Sequence, residues 1–525
     1  MPKRKNPNHG GARPGSGRPK TAPGKSIYVR GDIADVLQQV KEAKQENRLL
    51  SFLKQNLGVI LNKANPIKAT ARVENTQDKP ITLNQDQLIA IEYLNDWFNS
   101  DRETATLSGA GGTGKTAAIG HWVKQLGDIG KVIYLAPTHK AKNVLMRSLE
   151  SSGIESPDVY TVAQSLGKQP IIMESGLEVF VGKDTDRDLL GNVDLVIVDE
   201  SSMVNGEDYE EINDKAKKVL FMGDKNQLPP VGEAEALAFV GSPDVELFRV
   251  MRYSGHILDQ CQKLREAAQD NFIHTIEADG KQIIRLNRND ALLTATELFK
   301  SREFEQDSTF CRVVAFRNSK VDKNNKFIKP RVYNRDDEYF KGLRLIAAKP
   351  VQRKNIITDR WVTFCNNSEE VVITSDPEVV EIDKYLLVDM PEDCQELKSL
   401  IGVGKANRFD CLSENGSSFS SIVLDEEAMA KRLELIKLIQ GLYREKMAKV
   451  YLFALAFLYR WGDELKDIFC STVHKSQGST YNNVFIELKD ILKPSYSKQS
   501  WQSDDRPKLL YTAASRASEI IYLIE

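Results

Sequence analysis

The sequence predicts an α/β protein built on two parallel, doubly covered sheets, and three observations carry that reading. From Leu83 onward, short apolar strands alternate with amphipathic helices. A glycine-rich turn stands between the first such strand and its helix. The same strand-and-helix texture then returns in the last third of the chain. Apolar strands separated by helices imply parallel pairing with both faces covered.

In the first block the strands are Thr104–Ser108, Val132–Ala136, Val193–Val198 and Val219–Met222, with a helix over Lys115–Leu126. Arg312–Phe316, Val484–Leu488 and Ile520–Ile524 are the strands of the second block. Residues 331–425 are richer in short β-like runs: Arg344–Ala348, Trp361–Phe364, Glu370–Thr374 and Tyr385–Val388. They read as a small β insertion in the second block. Between the early strands, two apolar runs in residues 171–181 flank Glu174-Ser-Gly176, a hairpin signal. Upstream, Ser26–Arg30 reads as a short strand, followed by helices from Asp32 and over about Leu49–Lys63, and a polar connector runs to about Pro80. A ribbon-helix-helix-like dimer is a minor alternative for that region.

Composition bounds the function. The 525 residues hold 72 Lys+Arg against 74 Asp+Glu, a formal charge of −2, so no global pull toward nucleic acid or membrane exists. Residues 1–25 nonetheless carry seven cations, no acid, five Pro and five Gly, which predicts a flexible basic tail and leaves −9 for the remainder. Basic surface in the body is therefore expected as a local groove. The six cysteines are scattered, without a CxxC or Cys/His cluster, which argues against zinc and disulfides and fits a cytoplasmic protein. The longest strongly apolar run, Val450–Tyr459, is far short of a membrane span.

Gly109-Ala-Gly-Gly-Thr-Gly-Lys-Thr116 matches G-x-x-x-x-G-K-[ST] in the strand-to-helix context the motif requires. Gly109, Ala110, Gly111, Gly112, Thr113 and Gly114 would turn backbone N–H groups toward phosphate oxygens of ATP. Lys115 would reach the terminal phosphates and Thr116 would hold Mg²⁺. Asp194-Leu-Val-Ile-Val-Asp-Glu200 is an apolar strand delivering two carboxylates: Asp199 for the Mg²⁺ shell and Glu200 to polarise a water. In Phe221-Met-Gly-Asp-Lys-Asn-Gln-Leu-Pro-Pro-Val-Gly232, a Pro-braced loop holds Gln227 as a γ-phosphate sensor.

These last two segments resemble motifs II and III of superfamily 1 helicases, and the remaining motifs follow in order. Leu83-Asn-Gln-Asp-Gln87 resembles the Q motif, with Gln87 as adenine reader. Ala136-Pro-Thr-His-Lys140 and Thr161-Val-Ala-Gln-Ser165 resemble motifs Ia and Ib, which implies single-stranded DNA contacts at Pro137, Thr138, His139 and Thr161. Val250-Met-Arg252 resembles motif IV and Val314-Ala-Phe-Arg-Asn318 motif IVa. Ser471-Thr-Val-His-Lys-Ser-Gln-Gly478 resembles motif V, implying DNA contacts at Thr472 and His474 and a nucleotide contact at Gly478. Tyr511-Thr-Ala-Ala-Ser-Arg516 resembles motif VI, with Arg516 as arginine finger and Arg252 as its companion at the γ-phosphate.

The resemblance is to the RecD-like and Dda-like superfamily 1B group, with a UvrD/RecD-type C-terminal domain, and runs from about Leu83 to the end of the sequence. Two departures stand out: Tyr253 where Gln is common, and Ala517-Ser518 where a second basic residue is common. The resemblance implies two RecA-like domains, 1A at 81–247 with a pin insertion at about 168–187, and 2A at 248–525 with an SH3-like insertion at about 331–425. Phe180 in the hairpin is a candidate stacking wedge, ordinary hairpin packing being the alternative. Gly10–Lys20 resembles an AT-hook-like segment, a possible duplex contact, or else a solvated linker.

The implied activity is ATP-dependent 5′-to-3′ movement on single-stranded DNA with unwinding of forks by a monomeric motor, serving DNA replication, recombination or repair. An RNA helicase, a non-unwinding translocase and a nucleotide-gated DNA-binding factor are the alternatives. A complete hydrolysis set at Glu200, Gln227, Arg252 and Arg516 argues against the last.

Overall fold

The computed structural model describes residues 83–127, 129–172, 178–182, 189–230, 232–354, 361–381, 405–446, 451, 455, 458, 462–493 and 505–525. The expected basic tail, the strand at Ser26–Arg30, the helices before residue 64, the Tyr385–Val388 strand and the hairpin apex lie outside them.

Helix α1 (Gln85–Phe98) opens the first lobe behind a capping box, in which Asn84 accepts from Gln87 N and the Gln87 side chain accepts from Asn84 N. The lobe then alternates as expected. Strand β1 (Thr104–Gly109) leads to α2 (Lys115–Leu126), β2 (Val132–Ala136) to α3 (His139–Ser151), and β3 (Val159–Thr161) to α4 (Val162–Ser165). The hairpin β4 (Lys168–Ile172) and β5 (Glu178–Gly182) follows, with Pro170 opposite Phe180 in antiparallel register. Strand β6 (Leu195–Val198), α5 (Gly206–Lys215), β7 (Val219–Gly223) and β8 (Val245–Leu247) complete the lobe. The sheet order is β3-β2-β6-β7-β1-β8, with every pairing parallel. Its strands are buried on both faces, which is why they read as unbroken apolar runs rather than alternating ones.

The second lobe begins at α6 (His256–Gln269), whose Ile257 and Leu264 share a core with Leu510 and Tyr511 near the end of the chain. Strand β9 (Ile283–Leu286), α7 (Arg288–Phe299), α8 (Arg302–Gln306), β10 (Cys311–Ala315) and α9 (Asn318–Tyr333) follow. The insertion holds β11 (Arg344–Ala347), β12 (Val351–Lys354), β13 (Trp361–Cys365), β14 (Glu370–Ile373), β15 (Glu378–Glu381), β16 (Lys405–Ser413), β17 (Ser418–Leu424), α10 (Glu426–Lys446) and β18 (Leu465–Asp467). The chain then returns through β19 (Cys470–Thr472), α11 (Val473–Ser476), β20 (Tyr481–Glu487), α12 (Leu488–Ile491), α13 (Arg506–Ala514) and β21 (Ala517–Ile524). The lobe's parallel sheet runs β19-β10-β20-β21-β9.

Three differences from the sequence reading have local causes. Strand β10 stops before Phe316, because Asp490 accepts from both Phe316 N and Arg317 N and draws that backbone off the ladder. Leu488 begins a short helix instead of ending β20. The insertion sheet, antiparallel throughout, takes its edge strand β18 from beyond residue 425, since β18 pairs with β11. Glu370 of β14 meets Arg312 of β10 at 3.3 Å and Arg344 of β11 at 3.2 Å, so a buried guanidinium joins the insertion to the lobe's own sheet. Five cysteines are buried and free, and among the described residues no helix is long and apolar enough to cross a membrane.

Trp122 anchors the first lobe. It is fully buried, donates from Nε1 to Asn95 Oδ1 at 2.9 Å, and lies 6.3 Å from Trp97 and 6.2 Å from Phe98, ring to ring. Trp122→Ala should cost about 3–5 kcal/mol in denaturant-induced unfolding. A loss below about 1 kcal/mol, the scale of an ordinary point substitution, would show that this contact is not central to the core.

Candidate functional site

Ligands of parallel α/β sheets bind beyond the carboxyl ends of the strands, and both lobes place their candidate residues there. The turn from β1 to α2 is possible only with glycine at two points. Gly112 has φ +88°, and a Cβ on it would stand 2.2 Å from Arg252 Cβ. Gly114 has φ +75°, and its Cβ would stand 2.5 Å from Gln87 Nε2. Left-handed backbone and close approach thus coincide. Lys115 is half-buried and donates from Nζ to Gly109 O at 2.8 Å and Ala110 O at 3.3 Å. Burial lowers its pKa, while the charges of Glu200, Asp224 and Asp199 pull the other way.

The carboxylates arrive at the end of β6. Asp199 accepts from Glu200 N at 2.9 Å and from the Thr116 hydroxyl. Burial, then the neighbouring Glu200, raise its pKa to about 7. A hydroxyl and a crowded carboxylate side by side are hard oxygen donors that a divalent cation would relieve, so the residues fit Mg²⁺. Glu200 itself holds φ +50°, ψ +39°, a left-handed conformation that a non-glycine residue adopts at a cost of about 1–2 kcal/mol and that clusters at functional sites. Gln227 is buried; its Nε2 faces Asp224 Oδ2 at 3.4 Å, and its Oε1 is buried without a hydrogen-bond partner. A buried orphan acceptor in a polar loop marks a place where a further donor belongs.

The second lobe supplies two guanidinium groups to this turn. A Cβ on Gly111 would lie 2.9 Å from Arg252 Nη1 and 3.5 Å from Arg516 Nη2. Arg516 is fully buried and held by Thr512 O, Ser479 O and Ser515 Oγ, while Arg252 Nη1 donates to Ser515 O at 3.3 Å. Burial, then the adjacent Arg516, lower the Arg252 pKa from its ordinary value. Two cations pressed together against a glycine-rich turn are favourable where anionic charge is to be met.

Two expected nucleotide contacts are placed differently. The Gln87 amide is engaged at both ends, accepting from Asn84 N and donating to Thr113 O at 3.1 Å and Gly114 O at 3.4 Å, so it braces the glycine turn. Gly478 abuts Ala141 of α3, 3.5 Å from where its Cβ would be, with no atom of the glycine turn within 4 Å.

The motif Ia, Ib and V residues form a repeated device. Thr138, Thr161 and Thr472 each stand at the end of a strand and cap a helix, accepting from Ala141 N, Gln164 N and Lys475 N. The strand–helix units Val159–Ser165 and Cys470–Ser476 are near copies, one in each lobe. Pro137 and His139 flank Thr138, and burial, then Lys142, lower the His139 pKa. His474 packs against the Phe316 ring at 6.2 Å. Between the lobes, Lys140, Arg312, Lys466 and Lys475 line one small cleft together with the apolar Val321, Ile346, Ala347 and Ala348. Phe180 is half exposed on the hairpin.

Two family models match the chain, the first of them running beyond the first lobe's sheet as far as β9. The family model described as an AAA domain matches residues 82–286, and the UvrD-like helicase C-terminal domain matches residues 467–524. In these segments the chain is similar to superfamily 1B helicases. It is 27% identical over 497 residues to an uncharacterised protein of Acanthamoeba polyphaga mimivirus, covering 83% of the chain and 97% of that relative. It is 22% identical over 439 residues to the ATP-dependent DNA helicase dda of Enterobacteria phage T4, covering 77% of the chain and 92% of the relative. Among solved structures, Pif1 helicase from Candida albicans aligns at 15% identity and TM-score 0.41, covering 85% of this chain and 94% of that one. Bacteroides Pif1 bound to single-stranded DNA aligns at 16% and 0.39, covering 84% and 92%.

Sequence reasoning missed several polar residues of the site. Asp224 and Tyr511 lie inside quoted motifs but received no role, and Arg265 sits in no motif. Nor did any pattern single out Tyr481, which has Lys140 Nζ at 5.9 Å and Arg312 Cζ at 5.1 Å from its ring centre. Burial raises its pKa, but Lys140 and Arg312 more than offset this and bring it down to about 8. An absorbance titration at 295 nm should therefore show one tyrosine ionising near pH 8, absent in Tyr481→Phe. Identical curves for the two proteins below the usual tyrosine range, about pH 10, would contradict the placement of those cations.

Proposed function

We propose that the chain is an ATP-dependent DNA helicase that moves 5′ to 3′ on single-stranded DNA and unwinds forks, in DNA replication, recombination or repair. The observation that carries this reading is the approach of Arg252 and Arg516, from the second lobe, to the glycine turn of the first. A site completed only across two lobes makes lobe closure and phosphate chemistry one event. Alternate grip by the paired strand–helix units on a strand then converts that event into movement. The four cations lining the cleft between the lobes suit a sugar–phosphate backbone.

Each residue has a role. Backbone N–H groups of Gly109 to Gly114 cradle the phosphates, and Lys115 exchanges its own loop carbonyls for phosphate oxygens. Thr116 and Asp199 hold Mg²⁺, which neutralises developing charge when bound. Glu200 orients and polarises the attacking water, and Gln227 Oε1 accepts a hydrogen bond from that water beside the γ-phosphate. Arg252 and Arg516 stabilise the charge that builds on the transferred group. Gln87 braces the turn that an adenine would border. Pro137, Thr138, His139, Thr161, Thr472 and His474 contact the strand. The lobes divide at 81–247 and 248–525, the motor acts as a monomer, and the seven cations of residues 1–25 add sequence-tolerant duplex affinity.

Strand separation needs an obstacle at the junction. A base stacked on an aromatic ring gains about 1–3 kcal/mol, comparable to roughly 1.4 kcal/mol for one DNA stacking step. The half-exposed Phe180 offers such a ring. Fork unwinding should require a 5′ tail. Phe180→Ala should keep DNA-stimulated ATPase within a few-fold yet unwind the same fork much more poorly. A 3′-tail requirement would refute the polarity. Equal losses of ATPase and unwinding would reduce Phe180 to packing.

A further inference from the structure

Asp224, the first residue beyond β7, is completely buried, and a buried carboxylate persists only with good partners. Its Oδ2 accepts from Tyr511 Oη at 2.6 Å, the short distance of a charge-assisted bond, and from Gln227 Nε2 at 3.4 Å. Its Oδ1 accepts from Asn226 N at 3.1 Å and faces Arg265 Nε at 3.7 Å. Arg265 is anchored in turn by Glu246 at 2.6 Å. Tyr511 is also completely buried, and burial together with Asp224 holds its hydroxyl proton in place.

Consider what stands on either side of this bond. In the first lobe, Gln227 Oε1 has no hydrogen-bond partner, so its bond to Asp224 is what orients the amide. On the other side, Tyr511 belongs to α13, where Tyr511 O accepts from Ser515 N at 2.9 Å, Thr512 O accepts from Arg516 Nε at 3.1 Å, and Ser515 O accepts from Arg252 Nη1 at 3.3 Å. This helical turn therefore carries the Tyr511 hydroxyl, leads directly into Arg516, and holds the Arg252 guanidinium through Ser515 O. A neighbouring strap, Gln477 Nε2 to Leu228 O, is long at 3.5 Å.

We propose that Tyr511 and Asp224 are positioning residues. Their hydrogen bond links the γ-phosphate sensor Gln227 to the turn that bears Arg516, and so sets how strongly the bound nucleotide governs the grip on single-stranded DNA. This rests on the helicase reading above. Neither residue touches substrate; each acts through another.

The test compares single-stranded DNA affinity with Mg-ADP and with a non-hydrolysable Mg-ATP analogue, using a fluorescein-labelled oligonucleotide. The wild-type protein should show a difference on the order of tenfold, within the usual range of allosteric coupling. Tyr511→Phe keeps the ring and loses only the hydroxyl. It should reduce that difference to about twofold or less, near the floor of measurable coupling, while ADP affinity and the thermal unfolding midpoint stay at wild-type values. Combining it with Asp224→Asn should add nothing further, because the two act as one unit. A wild-type difference retained in Tyr511→Phe overturns the proposal. So does joint loss of ADP affinity and thermal stability, which would make the bond merely structural. A wild-type protein whose DNA affinity ignores the nucleotide would instead overturn the motor reading itself.

Discussion

Met251 N–H donates to Gly112 O at 2.8 Å, and that single backbone bond lays the segment bearing Arg252 directly over the glycine turn. The constraint runs both ways. A side chain at residue 112 would collide with Arg252 Cβ, and one at residue 114 with Gln87. The turn is thus pinned between the first helix of the lobe and the crossing segment to the second lobe. Where a phosphate cradle is expected, the protein has left no room for anything but main chain, and it has aimed the second lobe's arginines at what remains.

That arrangement is electrically expensive. Half-buried Lys115 and Arg252 and the buried Arg516 crowd together, with Asp199, Glu200 and Asp224 nearby. Burial disfavours the charged forms of Lys115, Asp199 and Arg252, so the site gains most from a ligand that brings negative charge and a divalent cation together. The left-handed Glu200 stores further strain at the same point. The site therefore sits poised between partners, a property suited to a switch that binds and releases in turn.

Much of this was legible in the sequence. The strands of both sheets announced themselves because parallel strands buried on two faces are unbroken apolar runs, and Lys115–Leu126 was read to the residue. The glycine turn, Asp199-Glu200, Gln227, Arg252 and Arg516 meet because each follows a strand end or loop that the topology brings together. The three-residue strands β3, β8 and β19 gave too little pattern to be seen. The bracing of the glycine turn by Gln87 was not legible, because a capping box and a base contact use the same side chain. Asp224, Tyr511 and Arg265 were invisible for a different reason: Asp224 pairs with Tyr511 across 287 residues and faces Arg265 from another element, which no local spacing encodes.

The central claim is that one catalytic site is shared between two lobes. It is tested most directly by nucleotide affinity and phosphate release in Arg516→Ala, measured with saturating single-stranded DNA. The account predicts that nucleotide still binds while turnover falls by on the order of a thousandfold, as when an arginine finger is removed. Turnover equal to the wild type would contradict it, and would confine the chemistry to the first lobe alone.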